Sequence, residues 1–189
     1  FCIGCVMCYQ GMKIDTYERY ILSIKEPDIS RVQHDSKDGK IPTKVLLFKT
    51  EGDLLDGFSK FILEHDPQII IGYNIFGWDI PYLIDRMKLN YAFDFYKHGC
   101  LTGRPSKVSN IKWSSSANRN QFFTFIDAFG RLYIDILPMI KSDYRFSNYK
   151  LNTIASSILG QTKDPLTAKG IFKCYKIGSP ITIGIVLRY

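Results

Sequence analysis

The sequence contains no P-loop, no Gly-x-Ser-x-Gly nucleophile turn, no internal repeat and no low-complexity block. Those absences remove P-loop nucleotide hydrolysis, serine-hydrolase chemistry and solenoid architecture from consideration. An initiator Met is also missing. The chain opens at Phe1 in a strand-like run to Tyr9 that has no charged leader or cleavage site and is too short to cross a bilayer. This opening reads as a truncated end, not a targeting signal, and no membrane partner is expected.

Cysteine is scarce and odd in number: five residues, which argue against a closed disulfide framework and fit a reducing, intracellular compartment with no disulfide partner. Cys2, Cys5 and Cys8 have the spacing of a cluster-binding run, but position 12 is Met12 and the next cysteine is Cys100. Strand alternation would also send Cys5 to the face opposite Cys2 and Cys8, so the three read as buried small hydrophobes. Acidic residues are absent between Asp94 and Asp127, where Lys97, Arg104, Lys107, Lys112 and Arg119 sit among Tyr96, Trp113, Phe122 and Phe123. With a formal net charge of +7, that tract suits a polyanionic partner.

What is present describes a folded piece. At 189 residues, 46% hydrophobic and 23% charged, the chain is sized and composed for one domain with its own core. Phe1 to Tyr9 reads as a largely buried strand, and Gly11 turns it into a second strand, Thr16 to Ile24, as a hairpin. Lys25 to Lys44 is polar and reads as a surface loop or hairpin tip. Lys44 to Phe48 is a strand, and Thr50 to Asp53 starts a helix carrying Leu54, Leu55, Phe58, Phe61 and Ile62. Gln68 to Gly72 is the next strand, followed by a helix from Ile80 to Leu89.

This β-α-β-α succession predicts an α/β sandwich with an open sheet and an antiparallel edge. The acid-free tract predicts a long loop or protruding hairpin. Phe122 to Asp127 and Gly130 to Asp135 read as two strands around Ala128-Phe129-Gly130. Ile136 to Tyr144 predicts a helix, and Ser147-Asn148 the cap of another with Leu151, Ile154, Ala155, Ile158 and Leu159 on one face. Gln161 to Ile177 predicts short helical stretches at best, and the apolar tail from Ile181 fits a strand or a helix.

The residue that asks for an explanation is Asp79, delivered to a helix start by the turn Tyr73-Asn74-Ile75-Phe76-Gly77-Trp78. Functional groups of an open α/β sheet sit at the carboxyl ends of its strands. Asp before Ile-Pro is also a good N-cap, with the proline suited to the first helical turn. Spacing leaves cap and metal ligand equally open. The aromatics and the Asn beside the carboxylate, able to stack on bases and to support a hard cation, weigh toward function.

Ile71-Gly-Tyr-Asn-Ile-Phe-Gly-Trp-Asp-Ile-Pro-Tyr-Leu83, followed by Arg86, resembles the second exonuclease motif of family B DNA polymerases. The resemblance extends to Phe48, Glu51, Leu54, Leu55 and Phe58 with Asp66-Pro67, and to Gly130-Arg131-Leu-Tyr-Ile-Asp135-Ile-Leu137. Tyr149-Lys-Leu-Asn152 and Leu159-Gly160 continue it. Thr167-Ala-Lys-Gly-Ile-Phe172 resembles the polymerases of large DNA viruses more than cellular ones.

The resemblance implies a single RNase H-like 3′→5′ exonuclease domain over residues 1–189, with a mixed central sheet flanked by helices and incomplete at both ends. The parent would be a DNA-directed DNA polymerase that proofreads by two-metal hydrolysis of the primer 3′ end. Mg²⁺ or Mn²⁺ would be the cofactor, and Asp79 would be catalytic and a metal ligand. Single-stranded DNA and the polymerase domains of the same chain would be partners, in nucleus or cytoplasm alike. Tyr73, Asn74, Phe76, Lys107, Lys112, Tyr149 and Tyr189 would meet DNA, the lysines from a hairpin that helps part primer from template.

The family's Asp-x-Glu motif is expected upstream of Phe1, and its Tyr-x-x-x-Asp motif would begin at Tyr189. The chain is therefore expected to be an internal fragment that alone neither holds the metal pair tightly nor cuts DNA. The alternatives are a stand-alone RNase H-like nuclease and a catalytically inactive nucleic-acid-binding domain. Asp135 suggests a second ligand by chemistry alone. The resemblance does not make it one, leaving a structural carboxylate paired with Arg131 or a neighbouring lysine.

Overall fold

A computed structural model describes residues 2–13, 16–36, 39–92, 97–101, 103–114, 121–162 and 166–188. They fall into two compact units, one drawn from residues 1–57 with 163–189 and the other from residues 58–162.

In the first unit, β1 (Cys2–Met7) pairs antiparallel with β2 (Glu18–Ser23), as the hairpin pattern predicts, with Cys2 opposite Ser23 and Met7 opposite Glu18. Between β2 and the next strand lie the short helix α1 (Ile29–Val32) and the hairpin β3 (His34–Ser36) with β4 (Gly39–Ile41). β5 (Thr43–Leu47) then runs parallel to β2, giving the strand order β1-β2-β5. The middle strand carries the core residues Tyr20, Ile21 and Leu22, because a strand with two neighbours keeps both edges from water.

β1 has one neighbour, and its pattern is correspondingly open. Val6 is exposed, Cys2 and Cys8 are exposed, Cys5 is half-buried, and only Met7 is fully enclosed. The expectation of a largely buried strand with buried cysteines is corrected on this point. All five cysteines are free thiols, and crowding pushes the Cys5 thiol up to about 11.

α2 (Glu51–His65) starts where the sequence predicts. The Thr50 and Asp53 side chains exchange bonds at its first turn, Asp53 N donating to Thr50 Oγ1 at 3.1 Å and Thr50 N to Asp53 Oδ2 at 3.1 Å. Leu54, Leu55, Phe61 and Ile62 form its buried stripe. α6 (Ala168–Ile177) and α7 (Pro180–Arg188) complete the first unit. A regular ten-residue α6 corrects the expectation of short stretches at best. Thr167 caps it, accepting from Gly170 N, and Gly178 ends it at φ 70°. Three lysines along it mask a helical pattern that the cap and the glycine announce.

In the second unit, β6 (Ile69–Gly72) pairs parallel with β9 (Leu132–Asp135), while β7 (Lys107–Trp113) pairs antiparallel with β8 (Gln121–Asp127). β8 and β9 are therefore consecutive without being partners. The acid-free tract itself supplies the strand that β8 pairs with, and β9 takes β6. Across the described residues the strands make one three-stranded and three two-stranded sheets rather than a single central one.

The helix α3 (Ile80–Leu89) has the predicted bounds, and Ile80, Ile84 and Met87 are buried. Ile80 and Ile84 join Ile126 and Ala128 in a core flanked by Ile75, Phe76, Val108 and Tyr133. Burial of each large side chain contributes roughly 1.5–3 kcal/mol, and this cluster fixes the entry into α3. α4 (Ile136–Asp143) follows β9, and α5 (Leu151–Leu159) follows α4. Along α5 only Ile154 is buried, with Leu159 67% exposed. Lys150 occupies its cap position with no side-chain bond, and Asn148 Oδ1 instead accepts from Lys150 N and Thr153 Oγ1.

Candidate active site

The candidate site is built at the carboxyl end of β6. The β-branched run Ile69-Ile70-Ile71 aligns with β9 so that Gly72 lies abreast of Asp135. The chain then reverses through Asn74, which sits in the left-handed region at φ 60°, ψ 27°. Asn tolerates that conformation better than most residues. Its carbonyl accepts from Gly77 N and Trp78 N at 3.2 and 3.0 Å, and Ile75–Asp79 forms a single wide π-helical turn that runs straight into α3. Such turns recur at functional sites. A Cβ on Gly77 would lie 2.6 Å from Asn74 Oδ1, so a larger residue there would make the Asn74 side chain turn aside.

The turn decides between the two readings of Asp79. A capping residue is normally extended, but Asp79 is already helical at φ −67°, ψ −48° and its side chain makes no capping bond. The preceding turn supplies partners to the incoming backbone, with Ile80 N donating to Ile75 O. Asp79 is not the N-cap. Its carboxyl is held above the ordinary 3.8, chiefly by the crowding of neighbouring atoms, with the charge of Asp135 adding in the same direction.

Asp135 is 6% exposed and is occupied by backbone. Oδ1 accepts from Asn74 N at 2.8 Å and Leu137 N at 3.0 Å, and Oδ2 accepts from Phe76 N at 3.1 Å. The expected pairing with Arg131 is corrected. Arg131 precedes β9 and Asp135 ends it, which places them about 13 Å apart along an extended strand. Arg131, itself buried, pairs with the exposed carboxylate of Asp66 at 3.0 Å and also donates to the carbonyls of His98 and Pro67. The sequence signal for the real role of Asp135 was an Asp between a strand and a helix, but its two partners in the turn lie 59 and 61 residues away.

The other predicted residues divide. Tyr73 Oη donates to Tyr149 O at 2.7 Å, tying the turn to the segment before α5. Tyr149 Oη in turn donates to Tyr144 O. Phe76 packs against Phe123 and Phe125 with ring centroids at 6.3 and 5.7 Å, so it is anchored on β8 instead of projecting freely. Lys107 and Lys112 lie toward opposite ends of β7, with Lys112 Nζ 5.6 Å from the ring centre of Phe122, which is 68% exposed. Tyr189 and Arg119 lie outside the described residues. Trp78 in the turn and Tyr82 one helical turn on, both inside the motif, are exposed, at 68% and 48%.

The donor chemistry at Asp79 is a hard oxygen, the kind Mg²⁺ and Mn²⁺ prefer. Among the described residues no group of three or more His, Cys, Asp or Glu gathers to hold a metal ion. No helix among the described residues is long and apolar enough to cross a membrane.

The model of DNA polymerase family B, exonuclease domain, matches residues 2–154. The chain belongs to this family. A family B exonuclease domain of this sequence is similar to a DNA polymerase of Invertebrate iridescent virus 3, 38% identical over 180 residues, covering 95% of the chain and 15% of that relative. It is also similar to a DNA polymerase of Invertebrate iridescent virus 6, 32% identical over 94% of the chain and 14% of the relative. The DNA polymerase delta catalytic subunit of Schizosaccharomyces pombe is 33% identical over 66% of the chain and 11% of its own length. The family B chain thus spans less than a fifth of each of these relatives.

Proposed function

We propose that the chain is part of the proofreading 3′→5′ exonuclease domain of a DNA-directed DNA polymerase, hydrolysing the primer 3′ end, with Asp79 as its metal-bound carboxylate. The observation that carries this reading is Asp79 itself. In a family B exonuclease domain it stands at a strand's carboxyl end, on a π-helical turn, unused as a cap. Residues 1–189 are assigned to one RNase H-like domain, a reading supported by the family match over residues 2–154.

Asp79 would supply oxygens to Mg²⁺ or Mn²⁺, which when bound provides water activation and stabilisation of the leaving 3′ oxygen. Asn74 and Phe76 bind the strand end, with Tyr73, Tyr149 and Tyr189 beside it. The Tyr73 to Tyr149 bond supports grouping two of these. Lys107 and Lys112 meet phosphates of single-stranded DNA. The polymerase domains of the same parent protein present the primer, at an intracellular replication site.

The test is Asp79→Ala in the full-length parent enzyme. Degradation of a single-stranded 3′ end should fall about 1000-fold, or ~4 kcal/mol of transition-state stabilisation, while primer extension persists. Undiminished degradation would refute the reading.

A further inference from the structure

We propose that Asp135 is a positioning residue for the exonuclease reaction, holding the Asn74 to Asp79 turn in the geometry that presents the Asp79 carboxylate. This rests on the functional reading above and adds to it a residue that touches neither metal nor DNA.

Three observations carry it. The Asp135 side chain spends two of its three bonds on the turn and one on its own helix, so its principal partners are Asn74 N and Phe76 N. Those two N–H groups bracket Ile75, the first residue of the π-helical turn, and the first belongs to Asn74, whose left-handed conformation needs an external restraint. The third is occupancy. A carboxylate offers about four lone-pair sites; three are taken by backbone donors, and the residue is 6% exposed. Asp135 is therefore poorly disposed to bind a cation, but it is a rigid two-pronged clamp joining the end of β9 to the end of β6. The Gly72 to Asp135 register places it where both prongs reach. Charge-assisted bonds of this kind are shorter and stronger than neutral ones, which suits a clamp. Without it the turn's two N–H groups lose their partners, and the carboxylate at Asp79, three residues beyond Phe76, is free to drift.

The experiment compares Asp79→Ala, Asp135→Ala and Asp135→Asn in the full-length parent enzyme. It measures kcat and KM on a single-stranded oligonucleotide, the Mg²⁺ concentration for half-maximal rate, and primer extension as the folding control. Misplacing a reacting group by about 1 Å is enough for roughly a 100-fold loss. Asp135→Ala is expected to lower kcat about that much with KM nearly unchanged, to raise the Mg²⁺ requirement, and to leave primer extension intact. Asn retains one acceptor oxygen, so Asp135→Asn should fall between wild type and Asp135→Ala, about tenfold down in kcat. Wild-type kcat in Asp135→Ala beside an inactive Asp79→Ala overturns this inference alone. Parallel loss of exonuclease and primer extension in both Asp135 variants also overturns it, in favour of a purely structural role. An active Asp79→Ala overturns the functional reading and this inference with it.

Discussion

Asp79 and Asp135 stand at matching places, each between the end of a strand and the start of a helix. The structure gives them opposite roles. Asp135 is extended, at φ −99° and ψ 120°, and its carboxylate turns back onto Leu137 N as a cap does. Asp79 is already helical, and its carboxylate makes no capping bond. The difference lies in what precedes them. β9 runs directly into α4, leaving first-turn N–H groups that need an acceptor, whereas a π-helical turn intervenes before α3 and supplies backbone acceptors of its own. A carboxylate is left for chemistry where the backbone has already met its own needs, and its neighbour, fully used by the backbone, is what keeps it in place.

The sharpest way to break this comparison is stability. Asp135→Ala strands two N–H groups in the turn and removes a helix cap, which should destabilise the chain by about 3 kcal/mol in urea denaturation. Asp79→Ala should change it by no more than about 0.5 kcal/mol. Equal effects would erase the distinction between clamp and unused carboxylate.

A smaller effect is expected at Gly77. Ala there brings a Cβ within 2.6 Å of Asn74 Oδ1, a clash that rotation of the Asn74 side chain can relieve, so the cost should stay within about 1 kcal/mol. A loss well above that in denaturation would show that the Asn74 side chain is held in place and the turn is as rigid as the clamp requires.

The smallest effect is on pH dependence. The Asp79 carboxyl is raised above 3.8 in the fold, mainly by crowding. Its protonated form is therefore the one the fold favours, and that contribution is complete below 3.8 and is lost as pH rises through the raised value. Asp79→Asn should accordingly gain stability relative to wild type as pH rises from below 4 toward neutrality, measured with a chelator present. A difference between the two proteins that does not vary with pH would mean that Asp79 is as well solvated as a free side chain.

Much of the fold was legible because its determinants are local. Thr50 and Asp53 announce α2, the 3.6-residue spacing of Ile80, Ile84 and Met87 gives α3 its bounds, and Gly11 between two apolar runs gives the β1-β2 hairpin. Where reading failed, the partner was distant or a local signal was outweighed. The Lys107 to Trp113 stretch lies in the tract expected as a long loop or protruding hairpin and is one strand of such a hairpin, but only its register with β8 fixes which residues form it. α6 was announced by Thr167 and Gly178 but hidden by its lysines.

The candidate site divides in the same way. Tyr73-Asn74 and the aromatic residue before Asp79 marked the motif, and with it the family. That Asp79 does not cap α3, that Asp135 serves the turn instead of Arg131, and that Phe76 is packed on Phe123 and Phe125 were not legible.

By itself, then, the sequence determined the elements whose signals lie within a helical turn or a strand of one another, and the motif that names the family. Tertiary structure alone decided which of two similar aspartates is left available and which is consumed. That choice depends on backbone donors some 60 residues away, brought within 3.1 Å by the parallel pairing of β6 with β9.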